Sequence, residues 1–186
     1  MWVLGEVMNT SANDRLLPQI CVTIHTATGE RVERRYAGPL LLKAGEKVSF
    51  SALIENLPTD REFTLSFAAA SLPADANSSL AATVYRDFSA SASVLPSPRD
   101  KDADIRGALT NTGGLPASNI FVVVGLYNSQ GALVGVAKGK ASSLDILDPG
   151  ATLTFTLVSS QLSQNTTSLS TRIFVEGQTA EEGNRQ

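Results

Sequence analysis

The sequence predicts an all-β fold arranged as two tandem antiparallel β-sandwiches. Three observations lead there. Apolar and polar residues alternate with period 2, turn signals recur about every 8–12 residues, and one block of sequence occurs twice in the 186 residues.

The repeat comes first because a missed repeat misreads the whole chain. GEVMNT, from Gly5, returns as GALTNT, from Gly107, 102 residues later. In that register Asn9 meets Asn111 and Thr10 meets Thr112. Ile20, Val22 and Ile24 meet Val122, Val124 and Leu126, and Gly29 meets Gly131. LLKAGEKVSFSALI, from Leu41, then aligns with ILDPGATLTFTLVS, from Ile146, at an offset of 105, so that Gly45 meets Gly150 and Phe50 meets Phe155. The three-residue difference falls between the blocks, where loops absorb insertions.

Each block has strand chemistry. Val48, Phe50, Ala52 and Ile54 alternate with Lys47, Ser49 and Ser51, and Leu153, Phe155 and Leu157 alternate with Thr152, Thr154 and Thr156. Successive strand side chains point to opposite faces, so this is the pattern of a half-buried strand. ATGE and SQGA place Gly between two strand-like runs, as a hairpin turn requires, and KAGE and DPGA lead by turns into the next strand. FTLSFAAASL, from Phe63, alternates at its start and reads as a strand. TVYRDFSASASV, Thr83 to Val94, adds strand-like sequence ahead of the second block. Residues 1–72 and 80–177 are therefore expected to be the two modules, with a linker at 73–79 and a polar tail at 178–186.

Only four residues precede Gly5, so the first module is expected to lack its opening strand. Two explanations stand. The chain is a fragment with a signal or membrane anchor upstream, or the strand is natively absent and leaves an open edge, which invites pairing with another chain.

The second block resembles the FxLYD domain family. A G-x-V/L-x-N-T strand is followed by Val124, Gly125, Leu126, Tyr127 and Asn128, a turn at Gly131, and an x-P-G-x-x-x-x-F strand. Val replaces Phe at the first signature position and Asn replaces Asp at the last. The first block (Val22, Thr23, Ile24, His25, Thr26) keeps only the aliphatic positions. The resemblance covers most of both blocks. It implies immunoglobulin-like sandwiches on bacterial or archaeal exported or surface-anchored proteins, with no catalytic residues and no cofactor.

The composition excludes several classes. Net charge is −3, and the densest basic stretch is RVERR at Arg31–Arg35. Sequence-independent nucleic-acid binding needs a larger cluster of Lys and Arg to displace phosphate counterions. A single cysteine excludes an intrachain disulfide, and no run of about 18 apolar residues exists to span a membrane; any membrane attachment must come from a region outside this chain. Cys21 and His25 lie four residues apart on one predicted strand, about 13 Å at the rise of an extended chain, too far for a thiol–imidazole dyad. One histidine and one cysteine are too few soft ligands for zinc, and no phosphate-binding glycine motif occurs. An enzyme is thus the weakest class.

Two candidate sites remain. Asp100, Asp102 and Asp104 alternate, and three such carboxylates can supply the hard oxygen ligands of Ca²⁺. Arg99 and Lys101 dilute them, and no distal bidentate Glu completes a calcium loop, so a solvated loop is the competing reading. The second candidate is the outward set Phe121, Val123, Gly125 and Tyr127, an apolar face where the first block has Gln19, Cys21, Thr23 and His25. Apolar faces rimmed by polar residues mark interfaces, so Phe121, Val123 and Tyr127 are expected to bind a protein partner or a second copy. Covering by another part of the chain is the alternative. The expected function is a non-catalytic structural or protein-interaction module outside the cytoplasm. The alternative is a carbohydrate- or small-ligand-binding module, whose aromatic platform could come only from Trp2, Tyr36, Tyr85 or Tyr127.

Overall fold

A computed structural model describes residues 2–26, 31–37, 41–54, 63–73, 83–97, 102–141, 146–159, 162–163 and 168–180. The fold is almost all β, built of antiparallel sheets. No helix among the described residues is long and apolar enough to cross a membrane. The chain divides into two compact units, Met1–Ala81 and Ala82–Gln186.

The first unit holds β1 (Trp2–Met8), β2 (Arg15–Thr26), β3 (Arg31–Ala37), β4 (Leu41–Leu42), β5 (Lys47–Leu53) and β6 (Phe63–Pro73). One sheet pairs β1 with β5. In the other, β2 pairs with β3, β4 and β6. Val3, Val48, Phe50 and Ala52 of the first sheet and Leu16, Ile20, Val22 and Ile24 of the second are buried. Removing such side chains from water is the main force holding the unit together, at about 1.5–3 kcal/mol for each fully buried Val, Leu or Ile.

The second unit holds β7 (Val84–Tyr85), β8 (Phe88–Pro96), β9 (Ala103–Asn111), β10 (Ala117–Tyr127), β11 (Leu133–Lys140), β12 (Ile146–Leu147), β13 (Thr152–Ser159) and β14 (Ser170–Thr179). One sheet runs β11-β10-β14-β7, with β12 also on β10, and the other runs β13-β9-β8. Ile105, Leu109, Leu153, Phe155 and Leu157 from the smaller sheet close on Val122, Val124, Leu126, Val134 and Val175 from the larger to form one core. This is a β-sandwich. β13 shows the alternation expected of it, with Leu153, Phe155, Leu157 and Ser159 buried and the residues between them exposed.

Three local boundaries differ from the sequence reading. The run Thr83–Val94 is two strands, because the chain turns at Arg86–Asp87, where the Phe88 N–H donates to the Arg86 carbonyl at 2.9 Å. β7 then pairs with β14 in one sheet and β8 with β9 in the other. β6 continues through Pro73, the first residue of the expected linker. β14 continues through Gln178 and Thr179, which pair with Ser118 and Ala117 of β10, so the polar tail begins later than residue 178.

The two units share a corner in detail. The Asn9 side-chain amide donates to the Asn13 carbonyl at 2.9 Å and the Leu42 carbonyl at 3.0 Å. The Asn111 amide donates to the Leu115 carbonyl at 2.8 Å and the Leu147 carbonyl at 3.0 Å. Asn9 Oδ1 accepts from the Ser11 N–H, and Asn111 Oδ1 from the Gly113 N–H, both at 3.1 Å. The Gly45 N–H donates to the Asn9 carbonyl and the Gly150 N–H to the Asn111 carbonyl, both at 2.9 Å. Those glycines have φ of 73° and 75°, the left-handed region that other residues rarely adopt. Each side-chain partner lies 102 residues from its counterpart and each glycine and β4–β12 carbonyl 105. A second shared feature is a cross-strand pair. Gly5 faces Phe50, and Gly107 faces Phe155. In each unit the phenylalanine ring occupies the space a glycine Cβ would need.

Candidate functional site

The units diverge on the far side of that glycine strand. In the second unit β9 lies between β13 and β8, and Ala90, Ala92 and Val94 of β8 stand opposite Leu109, Gly107 and Ile105. Those three residues and Phe88 pack on the core. In the first unit β1 has β5 on one side and, among the described residues, no strand on the other. A groove of about 360 Å³ lies along it, lined by residues 4–8 of β1, Ile20 of β2, Phe50 of β5 and Ala68 of β6. The lining is mostly apolar, and its rim is a strand edge able to offer main-chain N–H and C=O groups at right angles to the chain. Val7 records the difference. Its counterpart Leu109 is 0% exposed, whereas Val7 is only half-buried. Met8, beside it, is 51% exposed.

The corner has adjusted to this difference. In the second unit the Tyr85 hydroxyl, on β7, donates to Asn111 Oδ1 at 2.7 Å, and the ring stacks edge-on against Phe88 with centroids 5.2 Å apart. In the first unit Ser11 Oγ donates to Asn9 Oδ1 at 2.7 Å instead. Ser11 stands where the second unit has Gly113, and a Cβ on Gly113 would run into the Tyr85 hydroxyl. A local hydroxyl thus fills the acceptor that β7 satisfies in the second unit. Among the described residues, no strand fills the place of β8.

The outward face of β10 is largely covered. Phe121 is 39% exposed, but Val123 and Tyr127 are 5% and 4% exposed. The Arg172 guanidinium lies over the Tyr127 ring at 4.7 Å, and that of Arg86 lies over Phe174, which stands opposite Val123, at 4.0 Å. Cations over aromatic faces are held by the ring quadrupole. The exposed aromatic surface proposed for Phe121, Val123 and Tyr127 therefore contracts to Phe121, between Glu176 on β14 and Lys140 on β11.

The acidic run is also divided. Asp104 lies within β9, opposite Val158 and Leu95, with Asp102 just ahead of the strand. Asp100 lies outside the described residues. No group of three or more His, Cys, Asp or Glu is placed to hold a metal ion among the described residues. Cys21 is half-buried and His25 exposed on β2, and His25 Nε2 lies 3.2 Å from Ser66 Oγ. Of the aromatic residues considered for sugar binding, Tyr85 and Tyr127 are buried, and the Tyr36 side chain lies outside the described residues. The groove residues were readable in sequence only indirectly, through the glycine–phenylalanine pairs that repeat and the strand that does not.

No family model and no curated protein matches the chain.

Proposed function

We propose that this chain is a non-catalytic structural or protein-interaction module that works outside the cytoplasm, with immunoglobulin-like sandwiches of the FxLYD kind as its two units. The observation that carries the interaction reading is the groove beside β1. Its apolar walls at Leu4, Val7, Ile20 and Phe50 meet a strand edge, and that combination suits an extended polypeptide, which gains main-chain hydrogen bonds and side-chain burial together. Sugar recognition wants exposed aromatic platforms, and the burial of Tyr85 and Tyr127 weighs against the carbohydrate reading. The extracytoplasmic setting rests on the resemblance of Val124, Gly125, Leu126, Tyr127 and Asn128 to the family signature.

The test presents the full chain to an array of unrelated extended peptides and to a panel of oligosaccharides. Peptide binding that slows amide exchange within Trp2–Met8 is the expected result. Oligosaccharide binding that leaves those amides unaffected contradicts it.

A further inference from the structure

We infer that β7 and the turn after it form a tension-sensitive strap. When the second unit is pulled through its two ends, residues 83–87 peel away first and lengthen the chain while the sandwich stays folded.

The geometry sets the order of yielding. The chain enters the sheets of this unit at Thr83 and passes out of them at Ala180, and the two points are neighbours. Val84 stands opposite Gln178 and Tyr85 opposite Gly177, and the Thr179 hydroxyl donates to the Thr83 carbonyl at 3.5 Å. A pull on adjacent ends of an antiparallel pair acts along its hydrogen bonds, which lie at right angles to the strands. Those bonds are loaded one after another instead of sharing the force. β7 offers two residues to that load before the chain turns at Arg86–Asp87 into the other sheet. β14 is also paired with β10, from Ala117 to Tyr127, but those bonds lie off the line between the two ends while β7 stays seated.

Three further ties hold the strap. The Tyr85 hydroxyl donates to Asn111 Oδ1 at 2.7 Å, the Arg86 guanidinium lies 4.0 Å over the Phe174 ring, and the Thr112 N–H donates to the Asp87 carbonyl at 2.9 Å. Tyr85 is also the strap's core side chain, buried edge-on against Phe88. The corner beneath outlasts these ties. Asn111 keeps its bonds to the Leu115 and Leu147 carbonyls and to the Gly113 N–H, which do not involve the strap. Past the turn the load meets β8, paired with β9 over nine residues, with Phe88, Ala90, Ala92 and Val94 packed on the core. Opening therefore stops at Phe88. A segment held by few buried contacts opens at lower cost than the whole domain unfolds, and the strap closes again when the pull relaxes.

The test is single-molecule stretching of the full chain carrying Cys21→Ser, with handles attached through Thr83→Cys and Ala180→Cys. Under slowly rising force the extension is expected to show two steps. The first is reversible and releases about 17 Å, the length of five extended residues. The second is rupture of the sandwich, governed by its unfolding rate. Tyr85→Phe should make the first step open about fivefold faster at a given force, as the loss of one net hydrogen bond predicts, and leave the second step unchanged. Moving the first handle past the strap, to Ser89→Cys, should remove the first step and keep the second. A single rupture with the handles at 83 and 180 overturns the inference. A first step that persists with the handle at 89 also overturns it, since the released segment then lies elsewhere. So does a Tyr85→Phe effect confined to the second step.

Discussion

β1 and β9 begin from one sequence pattern and finish in different surroundings. Both carry a glycine under a phenylalanine ring, and both end at a buried asparagine that ties the strand to a turn. β9 is an interior strand, sealed by β8. β1 has a neighbour on one side only among the described residues. The corner is kept because its loss leaves several buried polar groups without partners at once. The covering strand is more dispensable, since an exposed edge is a liability without being a stability failure. The difference teaches that the two halves of the opening element, β7 and β8, are separable. The first unit replaces the bond from β7 with its own Ser11 and, among the described residues, has no strand in the place of β8.

Substitutions at paired positions sharpen that comparison. The largest effect is expected at the corner. Asn111→Ala removes four side-chain hydrogen bonds and strands the buried Tyr85 hydroxyl, so it should cost about 3–4 kcal/mol. Asn9→Ala should cost about 1 kcal/mol less, because Ser11 keeps its bond to the Asn13 carbonyl and is within reach of water. Urea unfolding separates the two. Emission of the single tryptophan, Trp2, follows the first unit, and pulsed amide exchange of β9 and β10 follows the second. Equal costs break the comparison at its firmest point.

The glycines come next. At Gly107 an added Cβ meets both the Phe155 ring and the Ser91 backbone carbonyl, the latter at 2.5 Å, so neither side can yield cheaply. At Gly5 the nearest atoms among the described residues belong to the Phe50 side chain, at 2.5 Å. Gly107→Ala is expected to cost about 3 kcal/mol and Gly5→Ala about 1, within the range for overpacked sites. If Gly5→Ala is as damaging as Gly107→Ala, something rigid also lies beyond β1. The smallest pair is Tyr85→Phe, expected to cost about 1 kcal/mol, against Ser11→Ala, expected to cost about half that because Ser11 is part-exposed. Both are read by the same unfolding curves.

The architecture was legible because its signals are local and repeated. The alternation of Leu153, Phe155 and Leu157 is the burial pattern of β13, and the offsets of 102 and 105 are those at which Asn9 and Asn111 find equivalent partners. What alternation could not show is coverage. It placed Val123 and Tyr127 on the outer face, but not the guanidinium of Arg172 over Tyr127, which comes from a strand more than forty residues away. It also could not separate β7 from β8, since the turn at Arg86–Asp87 interrupts the run without a Gly or Pro. The replacement of Tyr85 by Ser11 was invisible for a further reason. The two hydroxyls occupy unrelated sequence positions and share only the oxygen that accepts their proton.

The central claim is that, among the described residues, β1 has a neighbour on one side only where β9 has one on each. Amide hydrogen exchange on the full chain, without any added peptide, tests it most directly. Donors alternate along an antiparallel strand between its two neighbours, so the amides of Leu4 and Met8, on the side of β1 away from β5, should exchange at rates near those of an unprotected chain, at least about a hundredfold faster than the matching amides of Ala103–Asn111. Uniform protection along both strands contradicts the claim.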